Sequence, residues 1–468
     1  MERLTDQGIS WKGGSDSVSE LGMCPHAMKT VIFKYWDSVR SSFWFVPSIM
    51  ASGAGVLSLA TVALDQSISE AWLKELAWIY TGGSEGASAV LQIIASSMIT
   101  IAGVVFSMTL VALSLASSQL GPRLMRNFMR DTSNQVVLGT FIATFLYCLL
   151  VLRTIRRAEE IAFVPHLSVT LGLAFALASL GVLIYFIHHV SVSIQADEII
   201  AHVNAELNAG IEHMFPVEMG VGKLPQDISV DQAFDAEAEP VIAAEDGYLQ
   251  LIDVDSLMAL ASQHDALFRV ECRPGRYVIE GNPLVMVWPR DRLNEELALK
   301  IRSTFALGTQ RTSAQDLEFS VDQLVEIAAR ALSTGINDPF TAISCVDRLA
   351  SALAKLARRD FPSPYRLDDD ERLRVVACPF TFEGIAGATF NPIRQHARGN
   401  AAVTIRLLEV IADIARLARR EDDLAVLRTH ASMIVRGARE ALSEPNDIKT
   451  AERRFDEAWA RLAPRVDG

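Results

Sequence analysis

Between Ala87 and Arg123 the chain carries no charge until its last residue. As a helix rising about 1.5 Å per residue, this stretch exceeds the roughly 30 Å hydrocarbon thickness of a bilayer, so it spans and still projects into water. Within it Ser96, Thr100, Gly103, Ser107, Ser114 and Ser117 follow a four-three alternation broken only at Leu110, which places them on one seam of the helix. A seam of this kind needs a partner or water. It either lets helices approach closely through small side chains and hydroxyls, or it frames a wet path. Packing explains each serine taken alone. Thr109 and Ser97 lie off the seam, where a hydroxyl can bond its own helix's carbonyls.

Three further stretches have spanning length. The first begins at the aromatic group Phe43-Trp44-Phe45, which suits the headgroup level, and ends at Asp65; Pro47 falls near its start, where a missing backbone donor costs little. The third starts at Val136, and the fourth runs from Leu167 to Val190. Between the first two, residues 71–80 (AWLKELAWIY) read as a short helix lying in the interface. After the second, Pro122 breaks the helix and Arg123, Arg126 and Arg130 make a cationic connection of the kind retained in the cytoplasm. Arg153, Arg156 and Arg157 oppose that rule on the other side, yet the balance favours cytoplasmic N- and C-termini. No span carries Asp, Glu, Lys or Arg at its centre, and His188 and His189 at the end of the fourth are the nearest ionisable groups. An ion-coupled pump commonly needs such a group at mid-membrane.

Half of the 468 residues are hydrophobic (50%), concentrated between Phe43 and Val190. The formal charge of −13, with no basic stripe, argues against a nucleic-acid partner. The five cysteines, Cys24, Cys148, Cys272, Cys345 and Cys378, have no paired spacing and read as free thiols in a reducing compartment. Cys24-Pro25-His26 has no second pair to complete a metal site. No metal or other cofactor is expected, and neither a phosphate loop nor an H-E-x-x-H motif is present. The first 42 residues mix both charge signs with Gly and Ser and lack a signal-peptide pattern.

The expected architecture is an α-helical membrane protein with four transmembrane helices, followed by a cytoplasmic α+β region. Residues 1–42 form a tail, 43–190 the membrane domain, 191–240 a connecting helix and acidic linker, 241–290 a small β-sandwich or barrel, and 291–468 a helical domain. The fourth span is expected to continue as one helix whose apolar stripe is Ile194, Ile199, Ile200, Val203, Leu207 and Ile211. In the β region a Pro-Gly turn separates LFRVEC from RYV, and Asp255 or Ser256 is the expected cap of the intervening helix. Farther on, Thr312, Ser313 and Asp316 resemble a capping box. The helix they open has Phe319, Leu324, Ile327, Ala328 and Leu332 on its buried face, and Gly335 stops it. Asp338 then caps a second helix with Pro339 at its first position. Arg311, Asp316, Arg330, Asn337 and Asp338 are candidates for one polar cluster, which capping and salt bridges explain without chemistry. Three amphipathic helices close the chain, with His396 and His430 as structural histidines.

The run FSMTLVALSLASSQLGPRLMRNFMRD and the run RTSAQDLEFSVDQLVEIAARALSTGINDPFTAISCVDRL together resemble the bacterial predicted membrane proteins grouped as domain of unknown function 2254. The resemblance extends from about Phe43 to the C-terminal helices. It implies no activity, but it makes Pro122, Arg123, Asn337, Asp338 and Pro339 part of family patterns.

The seam leads to the expectation of an oligomeric, channel-like inner-membrane protein. Its partners would be the lipid bilayer, further copies of itself and a small ion, the cationic loop favouring an anion, with the soluble half gating or assembling it. The alternative is a non-conducting membrane-anchored sensor or scaffold whose soluble half binds a ligand or protein. No nucleophile, metal or phosphate-loop constellation points to an enzyme.

Overall fold

The computed structural model describes residues 44–67, 83–121, 131–155, 163–193, 195–215 and 234–463. The interfacial segment at 71–80, the N-terminal tail and the residues Pro122, Arg123, Arg126 and Arg130 lie outside the described residues.

Four helices have the length and apolar composition to cross a membrane: α1 (Phe45–Ser67), α2 (Ser84–Leu120), α3 (Thr132–Leu152) and α4 (His166–Ser193). The third is the centre of the bundle, packed against the other three. Two glycines let the backbones close. A Cβ on Gly139 of α3 would stand 2.5 Å from the Met50 sulfur and 3.2 Å from Pro47 Cα of α1, and one on Gly172 of α4 would stand 3.1 Å from Leu91 of α2.

Polar groups inside the bundle bond between helices. Tyr147 of α3 donates to the Ser168 carbonyl at 3.1 Å and its hydroxyl lies 3.1 Å from that of Thr61 on α1, while Thr144 and Ser179 share a 3.3 Å contact between α3 and α4. At the end away from the soluble half, the buried Asp65 of α1 caps α4. It accepts from the amides of Leu167 and Ser168 at 2.9 Å each and from the Ser168 hydroxyl at 2.6 Å.

The expected continuous helix after the fourth span is interrupted. Gln195 is extended, and α5 (Ala196–Met214) restarts beyond it. The expected stripe is nevertheless right over the described part, because Ile200, Val203, Leu207 and Ile211 are buried against helices from the C-terminal half.

After a single turn α6 (Phe234–Glu237), two sheets form around α7 (Val254–Gln263) and α8 (Glu295–Ser303). The larger has the order β1-β5-β3-β8-β7, where β1 is Glu239–Ile242, β3 Leu267–Val270, β5 Pro283–Trp288, β7 Tyr365–Leu367 and β8 Leu373–Val376. The smaller has the order β4-β2-β6, with β2 at Gly247–Ile252, β4 at Tyr277–Val278 and β6 at Phe305–Gly308. The region after residue 291 is therefore not purely helical. It returns three strands to the sheets, and β8 pairs in parallel with β3 through Phe268↔Val375. The buried guanidinium of Arg374 ties that strand down, bonding Asp368 at 2.6 Å and Asp265 at 2.9 Å.

The remaining helices are α9 (Leu317–Ala331), α10 (Pro339–Leu356), α11 (Phe382–His396), α12 (Ala401–Ala415), α13 (Glu421–Ala441) and α14 (Pro445–Arg461), which share one apolar core with α5. Two expected caps move. Asp253, not Asp255 or Ser256, caps α7, because its carboxylate is the one in reach of the Ser256 amide at 3.1 Å. Asp316 alone caps α9, accepting from the Phe319 amide at 3.2 Å, with Thr312 and Ser313 upstream of the helix. That helix ends at Ala331, before Gly335. The Pro-Gly turn has a structural reason. Gly275 has φ 92°, and a Cβ there would come within 2.2 Å of the Asp316 carboxylate, so only glycine lets the sheets sit against the start of α9.

Candidate functional site

The buried face of α2, including Leu91, Ile94, Ala95, Met98, Ala102 and Val105, packs on α3 and α4. The seam is on the other side. Ser96, Thr100, Gly103, Ser107 and Ser114 are exposed and Ser117 is half-buried. A Cβ on Gly103 would meet nothing within 4 Å. Among the described residues, packing within the chain therefore does not use the seam. Two of its hydroxyls are satisfied locally, Ser96 donating to the Gln92 carbonyl at 2.9 Å and Thr100 to the Ser96 carbonyl at 2.8 Å. Off the seam, Thr109 does the same with Val105 at 2.8 Å, as expected.

The helix leaves the bundle and meets the soluble half. Its C-cap Gly121 has φ 121°, and a Cβ there would lie 2.5 Å from the Glu326 carboxylate of α9. One turn farther along α9, Arg330 donates to the Ser118 carbonyl at 3.5 Å and pairs with Glu326 at 3.4 Å. A second tie lies at the same end of the bundle. His189 of α4 sits 2.7 Å from the Asp131 carboxylate, which also accepts from the Ser133 amide as N-cap of α3, and the Tyr185 ring stacks on His189 at 5.5 Å. His188 is exposed.

The five soluble residues read as one cluster form two. At the start of α9, Arg311 forks onto Asp316 at 2.7 and 3.0 Å and reaches Asp322 at 2.5 Å. Burial disfavours the Arg311 cation, but the carboxylates on both sides outweigh it and raise its pKa. Arg330, Asn337 and Asp338 belong to the other end of a 15-residue helix, about 22 Å away at 1.5 Å per residue. There Asp338 caps α10 through the amides of Phe340 and Thr341 and the Thr341 hydroxyl, with Pro339 at the first position. The Thr341 hydroxyl and these amides hold the Asp338 carboxyl below its ordinary range. Both groups do the work of caps and ion pairs, with Asn337 supplying a left-handed turn at φ 51°.

Asp65, Asp131, Asp322 and Glu326 escaped the sequence reading. The one usable signal was an acid immediately closing an apolar span, where an uncapped helix start from elsewhere can reach it. The soluble half also holds a cavity of about 980 Å³ between α11 and α13, lined in part by Phe361, Phe380, Asn391, Thr429 and His430. Among the described residues no cluster of His, Cys, Asp and Glu has the makings of a metal site. Cys148, Cys272, Cys345 and Cys378 are free, and burial pushes the Cys272 thiol up to about 12.

The family model described as "Predicted membrane protein (DUF2254)" matches residues 40–413. An uncharacterized protein of Mycobacterium bovis (strain ATCC BAA-935 / AF2122/97) and one of Mycobacterium tuberculosis (strain ATCC 25618 / H37Rv) are each 31% identical over 423 residues, covering 88% of this chain and 79% of the relative. No solved structure matches. The matched range takes in the four apolar helices, the α2 exit and the α9–α10 turn, and the chain belongs to this family of predicted membrane proteins, domain of unknown function 2254.

Proposed function

We propose that the protein is a homo-oligomeric, channel-like component of the bacterial inner membrane, in which α2 from several copies frames a shared path for a small ion. The observation that carries this reading is the direction of the seam. A stripe of Ser, Thr and Gly in the middle of an apolar span faces away from its own bundle. Lipid gains nothing from it, whereas further copies of α2 can approach closely along it or leave water between them. The soluble half, on the cytoplasmic side with both termini, gates or assembles the path through Glu326 and Arg330 at the end of α2. The cationic connection at Arg123, Arg126 and Arg130 favours anions at that mouth. No catalytic step, cofactor or nucleic acid enters this reading.

Purified protein in liposomes should pass small ions. Ser107→Leu should change that flux while leaving thermal stability in detergent unaltered. Absence of flux under every salt and membrane tension tried overturns conduction. A second reading, a non-conducting sensor, is favoured by the cavity between α11 and α13. It requires Ser107→Leu to leave the protein's behaviour unchanged and a small molecule to raise the melting temperature of the soluble half.

A further inference from the structure

Two independent sets of contacts fix which way α9 points. Helix α5 leaves the membrane bundle just after α4, so its start is the membrane-proximal end. Near its other end, a Cβ on Gly210 would meet Leu317, the first residue of α9, at 3.2 Å, and Asn208 accepts from Lys355 in the last turn of α10 at 2.7 Å. Thus α9 begins and α10 ends far from the membrane, and the turn joining them comes back toward it. The contacts with α2 agree. Glu326 faces Gly121, whereas Arg330, farther along α9, reaches Ser118, which is nearer the bilayer.

The apolar part of α2 runs to Leu115, three residues above Ser118, or about 4.5 Å along the helix axis. Arg330 lies one residue before the end of α9 at Ala331, so the turn from Leu332 to Asp338 starts beside it. The turn is fixed in shape. The Asp338 amide donates to the Ala331 carbonyl at 2.7 Å, Asn337 is left-handed, and Asp338 spends its carboxylate on capping α10. Besides Thr334, Gly335 and Asn337, this tip presents two large apolar side chains outward. Ile336 is 46% exposed and Phe340 is 79% exposed, more than any other described large apolar side chain, those on the membrane helices included.

We infer that the α9–α10 turn is a lipid-contacting tip, with Ile336 and Phe340 seated in the bilayer interface beside the exit of α2. The boundary between headgroups and acyl chains is where an aromatic ring on a rigid turn is best accommodated, and the tip follows directly on Arg330, which touches the last turn of α2 at Ser118. Arg330, in the last turn of α9 and in contact with the Ser118 carbonyl, has the long stem that lets a cation stay hydrated at this depth. The inference requires four helices in a membrane and does not depend on conduction.

The test uses the full chain in phosphatidylethanolamine–phosphatidylglycerol vesicles. Phe340→Cys and, as a second variant, Ile336→Cys carry an NBD fluorophore, with the identically treated parent chain as background. Tyr277→Cys, at a 55% exposed position close in sequence to Gly275 at the far end of α9, is the control. Labels at 340 and 336 should lose most of their fluorescence to shallow nitroxide-bearing lipids and little to aqueous iodide, with the reverse at 277. Iodide quenching at 340 and 336 equal to that at 277 overturns the inference. Protection from both quenchers also overturns it, because the tip would then be covered by protein.

Discussion

Helices α2 and α3 are both long, apolar and rich in small polar residues, and they use those residues in opposite ways. Half of the most apolar segment of α3 is buried (50%), against 28% of that of α2. Inside the bundle, the hydroxyls of Tyr147 and Thr144 reach other helices. On the outer face of α2, Ser96 and Thr100 turn back to their own backbone. In lipid, where apolar surface alone gives helices no reason to prefer one another, hydroxyl direction and glycine clearance separate a finished contact from an open one.

The strongest way to break this contrast is at Asp65. In Asp65→Ala three donors of α4 lose their acceptor, a loss of about 3–4.5 kcal/mol at roughly 1–1.5 kcal/mol each, read as a lowered melting temperature in detergent. A buried group in the soluble half extends the contrast to acid. Burial, with Arg394 adding to it, holds His430 down at about 4 from 6.5. The unfolded chain therefore takes up a proton that the folded one refuses. Stability present above about pH 6.5 should fall as the pH drops toward about 4, by at most about 3.5 kcal/mol at roughly 1.4 kcal/mol per unit. Thermal melts across that range should show the loss in the native chain and a smaller one in His430→Leu.

The glycines give the cleanest pairing. Gly139→Val should cost about 1–3 kcal/mol by forcing α1 and α3 apart, whereas Gly103→Val, with open space before it, should stay within about 0.5 kcal/mol in detergent. If the outer face of α2 joins copies, Gly103→Val should nevertheless lower their cross-linking in the membrane. Between the two glycine variants falls Tyr147→Phe, which deletes one interhelical donor and should cost about 1 kcal/mol in the same melts.

The four spans were legible because length and the absence of charge suffice to identify them. The direction of the seam was not. Periodicity assigns Ser96, Thr100 and Ser107 to one face, but nothing local says what lies opposite that face. The grouping of Arg311 and Asp316 with Arg330, Asn337 and Asp338 failed because both ends of a helix call for capping residues, and a sequence does not display the helix length between them as distance. Strands β7 and β8 were missed because they are short and one of them is completed by β3, far back in the chain. Asp338 and Pro339 were read correctly because a cap and the residue after it are a local matter.

The clasp at Asp65 also dictates how the bundle can deform. A helix pinned at its first turn cannot slide along its neighbours without tearing three bonds from one carboxylate, so its freedom is to swing. Over the 28 residues of α4, about 42 Å at 1.5 Å each, a tilt too small to disturb Ser168 grows into a displacement of ångströms at the opposite tip. That tip is where His189 meets Asp131 and where the chain bends into α5. The fold thus has a fulcrum on one face of the membrane and the far end of a lever on the other, held to α3 through His189 and Asp131, with the soluble half attached where the travel is greatest.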